Sequence, residues 1–276
     1  MIMKGMMFMF NIYAAVYTAF LPLKYCRRHL ACVFLTFIAF TLIACSKQQA
    51  APQPVETKTN FNPVQVKQEV QPKITIKDHV LIDAPVINQL PELPRGCEVT
   101  SLAMLLEHAG IQTDKMKLAK DIKKDPARRI IKNGKVHFGN PHNGFVGDMY
   151  SFNAPGLGVY HEPIQELGEK YMPGKIVNLT GKPFEELKTP LSGERPVWVI
   201  INAEYRELPD SYFQTWETSS GPVKITMKEH SVLITGYDDR HVYFNDPLTG
   251  TKNKKAPIGD FEKSWVQMGS QALTYK

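Results

Sequence analysis

One cysteine, Cys97, stands at the start of a predicted helix in the stretch NQLPELPRGCEVTSLAMLLEHAG, residues 88–110. Apolar residues recur at offsets of three and four over residues 98–109, and Gly110 suits the end of that helix. The first N–H groups of a helix lack intrahelical partners and carry partial positive charge. We therefore expect the pKa of the thiol to fall, which favours a nucleophilic thiolate. A buried, inert cysteine is the structural alternative.

A thiol nucleophile needs a base that is oriented by an acceptor, and a predicted hairpin over residues 229–247 offers both. If its turn centres on Asp238, paired residue numbers sum to 476, and His230 lies directly opposite Asp246. If the paired residue numbers sum to 478, His230 and Asp246 are diagonal neighbours, which long side chains can still bridge. A sum of 477 would stagger the two residues and weaken the argument for their contact. Each residue alone is typical of a strand start or a turn. Their combination with Cys97 favours nucleophilic catalysis.

Gln89 lies eight residues before Cys97. Acyl transfer through a thiolate creates an oxyanion, which a side-chain amide and a helix-start N–H can bind. The amide of Gln89 and the backbone N–H of Cys97 are the candidate donors. The spacing by itself is a weak signal, because a glutamine in a loop is usually solvated.

Five blocks in this order resemble the C39-like branch of the bacteriocin-leader-type cysteine peptidases: NQLPELPRGCEVTSLAMLLEHAG, GNPHNGFVGD, RPVWVIIN, EHSVLITGYDD and YFNDP. The resemblance covers roughly residues 80–275. It implies an α+β, papain-like fold, with the nucleophile in a helical half and the histidine in an antiparallel sheet half. By position it implies a Cys97–His230–Asp246 triad and Gln89 as the oxyanion donor. It implies no cofactor.

The element pattern by itself also favours an α+β fold, with helices first and strands second. A strand followed by a loop is predicted at residues 79–89. Helices are predicted at residues 98–109, 114–124, 164–172 and 183–191. Strands are predicted at residues 195–203, 230–238, 241–246 and 271–276.

An export signal precedes this domain. The stretch RRHLACVFLTFIAFTLIAC, residues 27–45, has a basic start and a short apolar core. Its last four residues resemble a bacterial lipobox, so Cys45 is the expected lipidation site. A membrane anchor is the alternative, but the run is shorter than the roughly 20 residues of a spanning helix. Residues 5–23 form a second apolar stretch, either a further segment or an upstream extension.

The predicted organisation is therefore an export region (residues 1–45), a disordered tether (46–73) and a C39-like peptidase domain (74–276). The tether is rich in Gln, Pro, Val and Lys and cannot bury a core. We expect a lipid-anchored protein of the cell envelope that faces away from the cytoplasm, on the outer membrane if the cell is Gram-negative. The oligomeric state is left open.

Charge and cysteine usage narrow the expected partners. Of the 33 Lys and Arg residues, four precede Cys45 and no acid does, so the remainder has 29 bases against 27 acids. A net charge of +2 gives little support to a nucleic-acid partner. After processing and lipidation, Cys97 is the remaining free thiol, which excludes an intramolecular disulfide. The expected partners are a peptide or protein substrate and the membrane.

The glycine-rich stretch HFGNPHNGFVGDM, residues 137–149, is a possible substrate groove, because glycines let a peptide backbone come close. A surface loop is the alternative, and zinc at His137 and His142 is not expected. The groove residues would be Gly139, Asn140, Gly144, Phe145 and Gly147.

Three functions fit these residues. The first is a thiol hydrolase that cleaves peptide or amide bonds outside the cytoplasm. The second is a transpeptidase or acyltransferase with the same triad. The third is an inactive, membrane-tethered peptide-binding domain.

Overall fold

The computed structural model describes residues 74–276. The predicted export region, the lipidation site Cys45 and the predicted tether lie outside the described residues, so they stay predictions. Within residues 74–276, none of the helices combines the length and apolar character that crossing a membrane requires.

An antiparallel sheet of seven strands forms the larger half of the domain. Its strands are β1 (Val80–Leu81), β6 (Ile176–Asn178), β7 (Val197–Asn202), β10 (Glu229–Tyr237), β11 (His241–Asp246), β12 (Thr251–Pro257) and β13 (Ala272–Tyr275). Six lie in the order β12-β11-β10-β7-β13-β6, while β1 pairs with the end of β10. All six residues of β7 are buried, as expected for an apolar run at the centre of a sheet.

Helices supply the other half of the domain. They are α1 (Cys97–His108), α2 (Lys115–Asp121), α3 (His161–Tyr171), α4 (Lys188–Ser192) and α5 (Ile258–Gln267). Leu102, Leu105 and Leu106 of α1 are fully buried in the main core. The Asp114 side chain caps α2 by accepting the N–H groups of Met116 and Lys117. The predicted α+β, papain-like fold is confirmed.

A second, smaller sheet stands apart from the main one. It contains β3 (Ile130–Lys132), β4 (Lys135–His137), β8 (Phe213–Thr218) and β9 (Gly221–Thr226). Phe138, Trp216 and Ile225 are central to its own apolar cluster. A short parallel pair joins β2 (Lys124–Asp125) to β5 (Phe145–Val146). Sequence patterning did not predict this sheet, because β3 and β4 have only three residues each and β8 and β9 are mostly polar.

Most predicted elements agree with the observed ones to within a few residues. Residues 79–89 contain a strand (Val80–Leu81) followed by a loop, as predicted. The exception is at 183–191, where a 3₁₀ turn (Phe184–Leu187) precedes α4. Helix α5 was missed: it begins directly after Pro257, and buries Phe261 and Trp265.

The register of the predicted hairpin differs from the first choice. Leu233 pairs with Asn245 and Ile234 with Phe244, so the residue numbers sum to 478 rather than 476. A bulge between Ile234 and Gly236 then shifts the last pairs by one. His230 and Asp246 are therefore diagonal neighbours on one face of the sheet, which was the second possibility.

Replacing Gly236 with Ala should weaken the attachment of β1. A Cβ at Gly236 would lie 2.0 Å from the carbonyl oxygen of Val80, so backbone must shift. We expect a loss of about 1–3 kcal/mol in the free energy of unfolding, measured by urea denaturation. Gly259→Ala is the control, since a Cβ there meets nothing within 4 Å in α5. A Gly236→Ala protein as stable as the Gly259→Ala protein would contradict the prediction.

Candidate active site

Cys97 is held at the first position of α1 by contacts between that helix and the main sheet. The indole N–H of Trp198 donates to the carbonyl of Glu98 at 2.9 Å. One turn later, the Ser101 hydroxyl donates to the carbonyl of Ser231 at 3.2 Å. Both bonds are buried, and Cys97 itself is 6% exposed. The start of α1 is thereby fixed against β7 and β10.

His230 and Asp246 are in direct contact. Nε2 of His230 lies 2.9 Å from Oδ1 of Asp246, and both side chains are almost fully buried. The contact leaves Nδ1 of the imidazole available for another partner. The geometry is that of a base oriented by a carboxylate.

Asp246 is surrounded by hydrogen-bond donors. Its carboxylate accepts from the Tyr205 hydroxyl, the Thr249 hydroxyl and the Lys254 ammonium, each at 2.9 Å, and from the Leu248 N–H at 3.0 Å. Burial raises the pKa of Asp246, but the bonds from His230, Lys254 and Thr249 outweigh burial and lower it well below the ordinary range. Asp246 is therefore a permanent carboxylate at neutral pH.

The sulfur of Cys97 lies beside the strand that carries the imidazole. A carboxylate oxygen of Glu229, the residue before His230 on β10, lies within 4.8 Å of the Cys97 sulfur. The S–H group donates to Oε2 of Glu98 at 3.4 Å, and no hydrogen bond joins this sulfur to the His230 ring. The resting thiol is thus next to β10 but is directed toward Glu98.

The structure contradicts the expectation that the helix N-terminus lowers the pKa of Cys97. Burial raises that pKa well above its ordinary value, and the charges of Glu98 and Glu229 raise it further. The N–H of Ser231 lowers the pKa but is outweighed. Position at a helix start is therefore insufficient here, because desolvation and two carboxyl groups act against the thiolate.

Gln89 is placed near the start of α1, but its amide is occupied. Nε2 donates to the carbonyls of Leu93 and Pro94, at 3.1 and 3.0 Å. Its Oε1 atom is buried with no partner among the described residues. The amide therefore holds the loop before Cys97, and an oxyanion would have to compete with those carbonyls.

The five predicted groove residues contact the chain itself. A Cβ at Gly139 or Gly144 would collide with Asp125 or its backbone, and one at Gly147 with Pro155. Asn140 is buried and Phe145 is fully buried. The close approach that we attributed to a substrate backbone is therefore made by neighbouring segments of the protein.

An open cleft of about 260 Å³ lies elsewhere, between the small sheet and the start of α1. Arg95 is two residues before Cys97, which puts the two Cα atoms within about 7 Å. Neither Arg95 nor Arg129 has a carboxylate partner among the described residues. The lining includes Arg95, Arg129, Phe138, Gly156, Trp216 and Met227.

The side chains of His142, His161 and Glu162 offer ligand atoms within 4.8 Å of one another, a spacing that a metal could use. Nδ1 of His142 is already 2.8 Å from Glu162, and His161 contacts both Glu162 and Gln271. His142 and Glu162 thus satisfy each other through a hydrogen bond at the surface. These contacts give no reason to place a metal there.

Sequence reasoning missed five residues around the site. Tyr205, Thr249 and Lys254 surround Asp246, while Glu98 and Glu229 flank the sulfur. Glu98 and Glu229 are the immediate neighbours of Cys97 and His230, so adjacency was an available signal. Tyr205 follows β7 in a loop, and no local pattern marks it.

Comparisons with known proteins agree on one family. The model of the Peptidase_C39 like family matches residues 81–273. The uncharacterised protein YvpB of Bacillus subtilis is 46% identical over 194 residues, which cover 70% of this chain and 74% of YvpB. The crystal structure of a candidate C39-like peptidase from Bacillus anthracis is 49% identical. It superposes with a TM-score of 0.68 over 72% of this chain and 98% of that one.

Replacing Asp246 with Asn should change how stability depends on pH. The folded-state pKa of Asp246 lies below the unfolded value of about 3.9, so its stabilisation is complete above that pH and is lost below it. We expect Asp246→Asn to cost about 1–3 kcal/mol at pH 7, with a smaller difference at pH 3. Urea midpoints between pH 3 and 7 measure this.

The control for that experiment is Asp239→Asn, which removes an acid whose side chain is 85% exposed. It should leave the pH profile near that of the wild type. A constant difference between Asp246→Asn and wild type across the pH range would show that the carboxylate is not specially stabilised.

Proposed function

This chain belongs to the Peptidase_C39 like family, and on that premise we propose that it is a thiol hydrolase that cleaves peptide or amide bonds outside the cytoplasm. The family indicates a cysteine peptidase-type function. Beyond the family, we propose a Cys97–His230–Asp246 triad, a substrate site beside Arg95 and a location outside the cytoplasm.

One observation carries the proposal: the imidazole of His230 is fixed through Nε2 by a buried carboxylate, on the strand next to the Cys97 sulfur. A histidine needed only for packing does not require a carboxylate with four further donors. The free Nδ1 is the atom that would accept the thiol proton. The proposed reaction requires the Cys97 side chain to turn away from Glu98 and toward this nitrogen.

In the proposed reaction, Nδ1 of His230 takes the thiol proton, and the sulfur attacks the substrate carbonyl. Asp246 holds the ring and stabilises the imidazolium that forms. The imidazolium then donates its proton to the leaving amine, and an acyl-enzyme remains on Cys97. Water, deprotonated by His230, attacks this thioester and releases the acid and the free thiol.

The oxyanion of each tetrahedral intermediate needs donors. The N–H of Cys97 is available, since the first turn of a helix leaves its N–H groups without intrahelical acceptors. The Gln89 amide is the second proposed donor, provided that substrate binding releases it from Leu93 and Pro94. No cofactor enters any step.

The substrate is proposed to occupy the cleft beside Arg95. Met227 in its lining is an exposed apolar residue that suits an apolar part of a peptide, and the guanidinium groups of Arg95 and Arg129 suit a carboxylate. We therefore expect a substrate with an acidic group within a few residues of the scissile bond.

Single substitutions in the proposed triad test whether the protein cleaves peptides or only binds them. Wild type, Cys97→Ala and His230→Ala are incubated with a peptide library, and new termini are counted by mass spectrometry. We expect no cleavage by Cys97→Ala and a fall of about 10²–10⁴-fold for His230→Ala, because general-base catalysis is lost. His241→Ala, in the same hairpin, is the control and should retain activity.

The same experiment distinguishes the alternatives. If an added amine appears in the products in place of water, the enzyme is a transpeptidase with this triad. If wild type enriches peptides without cleaving them, the domain is a binding module. Cleavage that persists in Cys97→Ala would remove the proposed nucleophile altogether.

Anchoring at Cys45 places the domain at the envelope in this proposal. In cells fed an alkyne-tagged fatty acid, we expect wild type and Cys97→Ala to be labelled and to sediment with membranes. Cys45→Ala should be unlabelled and should leave the membrane fraction, because the lipid supplies the affinity. Equal labelling of Cys45→Ala would disprove lipidation at that site.

A further inference from the structure

Two carboxyl groups lie beside the nucleophile with no basic partner. Glu98 follows Cys97 in α1, and Glu229 precedes His230 at the start of β10. One oxygen of each acid and the Cys97 sulfur lie within 4.8 Å of one another. Glu98 is fully buried. Oε1 of Glu229 is buried and has no hydrogen-bond partner among the described residues.

Few neighbours stabilise charge on this pair. Glu98 accepts the Val159 N–H at 2.6 Å and the Cys97 thiol at 3.4 Å. No Lys, Arg or His side chain within residues 74–276 forms an ion pair with either acid. Tyr160 and His230 are the other titratable groups nearby, and burial and both acids raise the pKa of Tyr160.

The chain leaves room for the two carboxyls at one position. A Cβ at Gly158 would lie 2.1 Å from Oε1 of Glu98 and 2.7 Å from Oε2 of Glu229. Carboxyl oxygens of both acids therefore lie close to the backbone of Gly158. Any side chain at Gly158 would force them apart, so a residue without one keeps the pair together.

Two carboxylates at this separation, away from water, cannot both carry charge without a large electrostatic cost. Burial raises the pKa of Glu98 to about 7, and backbone hydrogen bonds offset only part of this effect. Burial and the charge of Glu98 raise the pKa of Glu229 well above its ordinary value. Both pKa shifts favour a protonated carboxyl in this pair.

We propose that Glu98 and Glu229 share one proton and together set the charge beside the Cys97 sulfur, which controls how readily this thiol ionises. The proposal rests on the proposed function only in taking Cys97 as the nucleophile. With the proton in place, at most one negative charge opposes the thiolate. When the proton leaves, a second charge holds the sulfur as an unreactive thiol. The two acids are positioning residues.

Alkylation of Cys97 by iodoacetamide tests this directly. The proteins are wild type, Glu98→Gln, Glu229→Gln and the double variant, and intact mass gives the rate at pH 7.0 and 9.0. At pH 7.0 a single variant has at most one carboxylate, as does the protonated pair. Its rate should stay within about twofold of wild type.

Raising the pH to 9.0 favours loss of the proton from the wild-type pair, so each single variant should then react about three- to tenfold faster than wild type. The double variant has no charge at this position and should react faster at both pH values. Glu107→Gln is the matched control, since it removes an exposed acid at the other end of the same helix. It should follow wild type throughout.

Two results would overturn the proposal. Single variants already several-fold faster at pH 7.0 would show two independent charges, and a double variant no faster than wild type would show no influence on the sulfur. If a variant does not fold, the infrared spectrum of wild type decides, through the carbonyl band of a protonated carboxyl at pH 6.5. Absence of this band would overturn the proposed sharing of a proton by Glu98 and Glu229. Alkylation requires no turnover, so this test can be read even if no peptide is hydrolysed.

Discussion

The contact between the start of α1 and the face of β10 is the constraint on which the site depends. Trp198 and Ser101 fix the helix by buried hydrogen bonds to backbone, so Cys97 cannot move far from the strand that bears His230. Buried polar groups are costly when unpaired, and such bonds therefore define one arrangement of the two halves. The antiparallel sheet then fixes where His230 and Asp246 meet.

The acidic residues of the site lie in two opposite electrostatic environments. Asp246 is buried among donors that include a lysine and a tyrosine, so its charge is stabilised and the imidazole is held. Glu98 and Glu229 are packed together with few donors, so their charge is disfavoured. The first environment suits a fixed orienting carboxylate, whereas the second suits a group whose protonation changes near neutral pH.

The small sheet is a separate part of this domain with an apolar cluster of its own. In the sequence, β3 and β4 lie between α2 and α3, whereas β8 and β9 lie between β7 and β10. In the structure, residues of this sheet form one side of the cleft next to Arg95. Function in such a fold depends on the site rather than on the fold itself. The proposed substrate cleft therefore depends on residues of the small sheet as well as on the loop before Cys97.

The sequence determined the fold class, the boundaries of α1 and of most central strands, and the likeness that singled out Cys97, His230, Asp246 and Gln89. These features depend on local periodicity and on ordered motifs, which are visible within short windows. The tertiary structure decided the hairpin register, because the bulge near Gly236 is not encoded by alternation. It also decided the ionisation of Cys97. Burial and the charge of Glu229 raise the pKa of Cys97. Glu229 is more than 100 residues from Cys97 in the chain, and desolvation of the sulfur cannot be seen in a linear pattern.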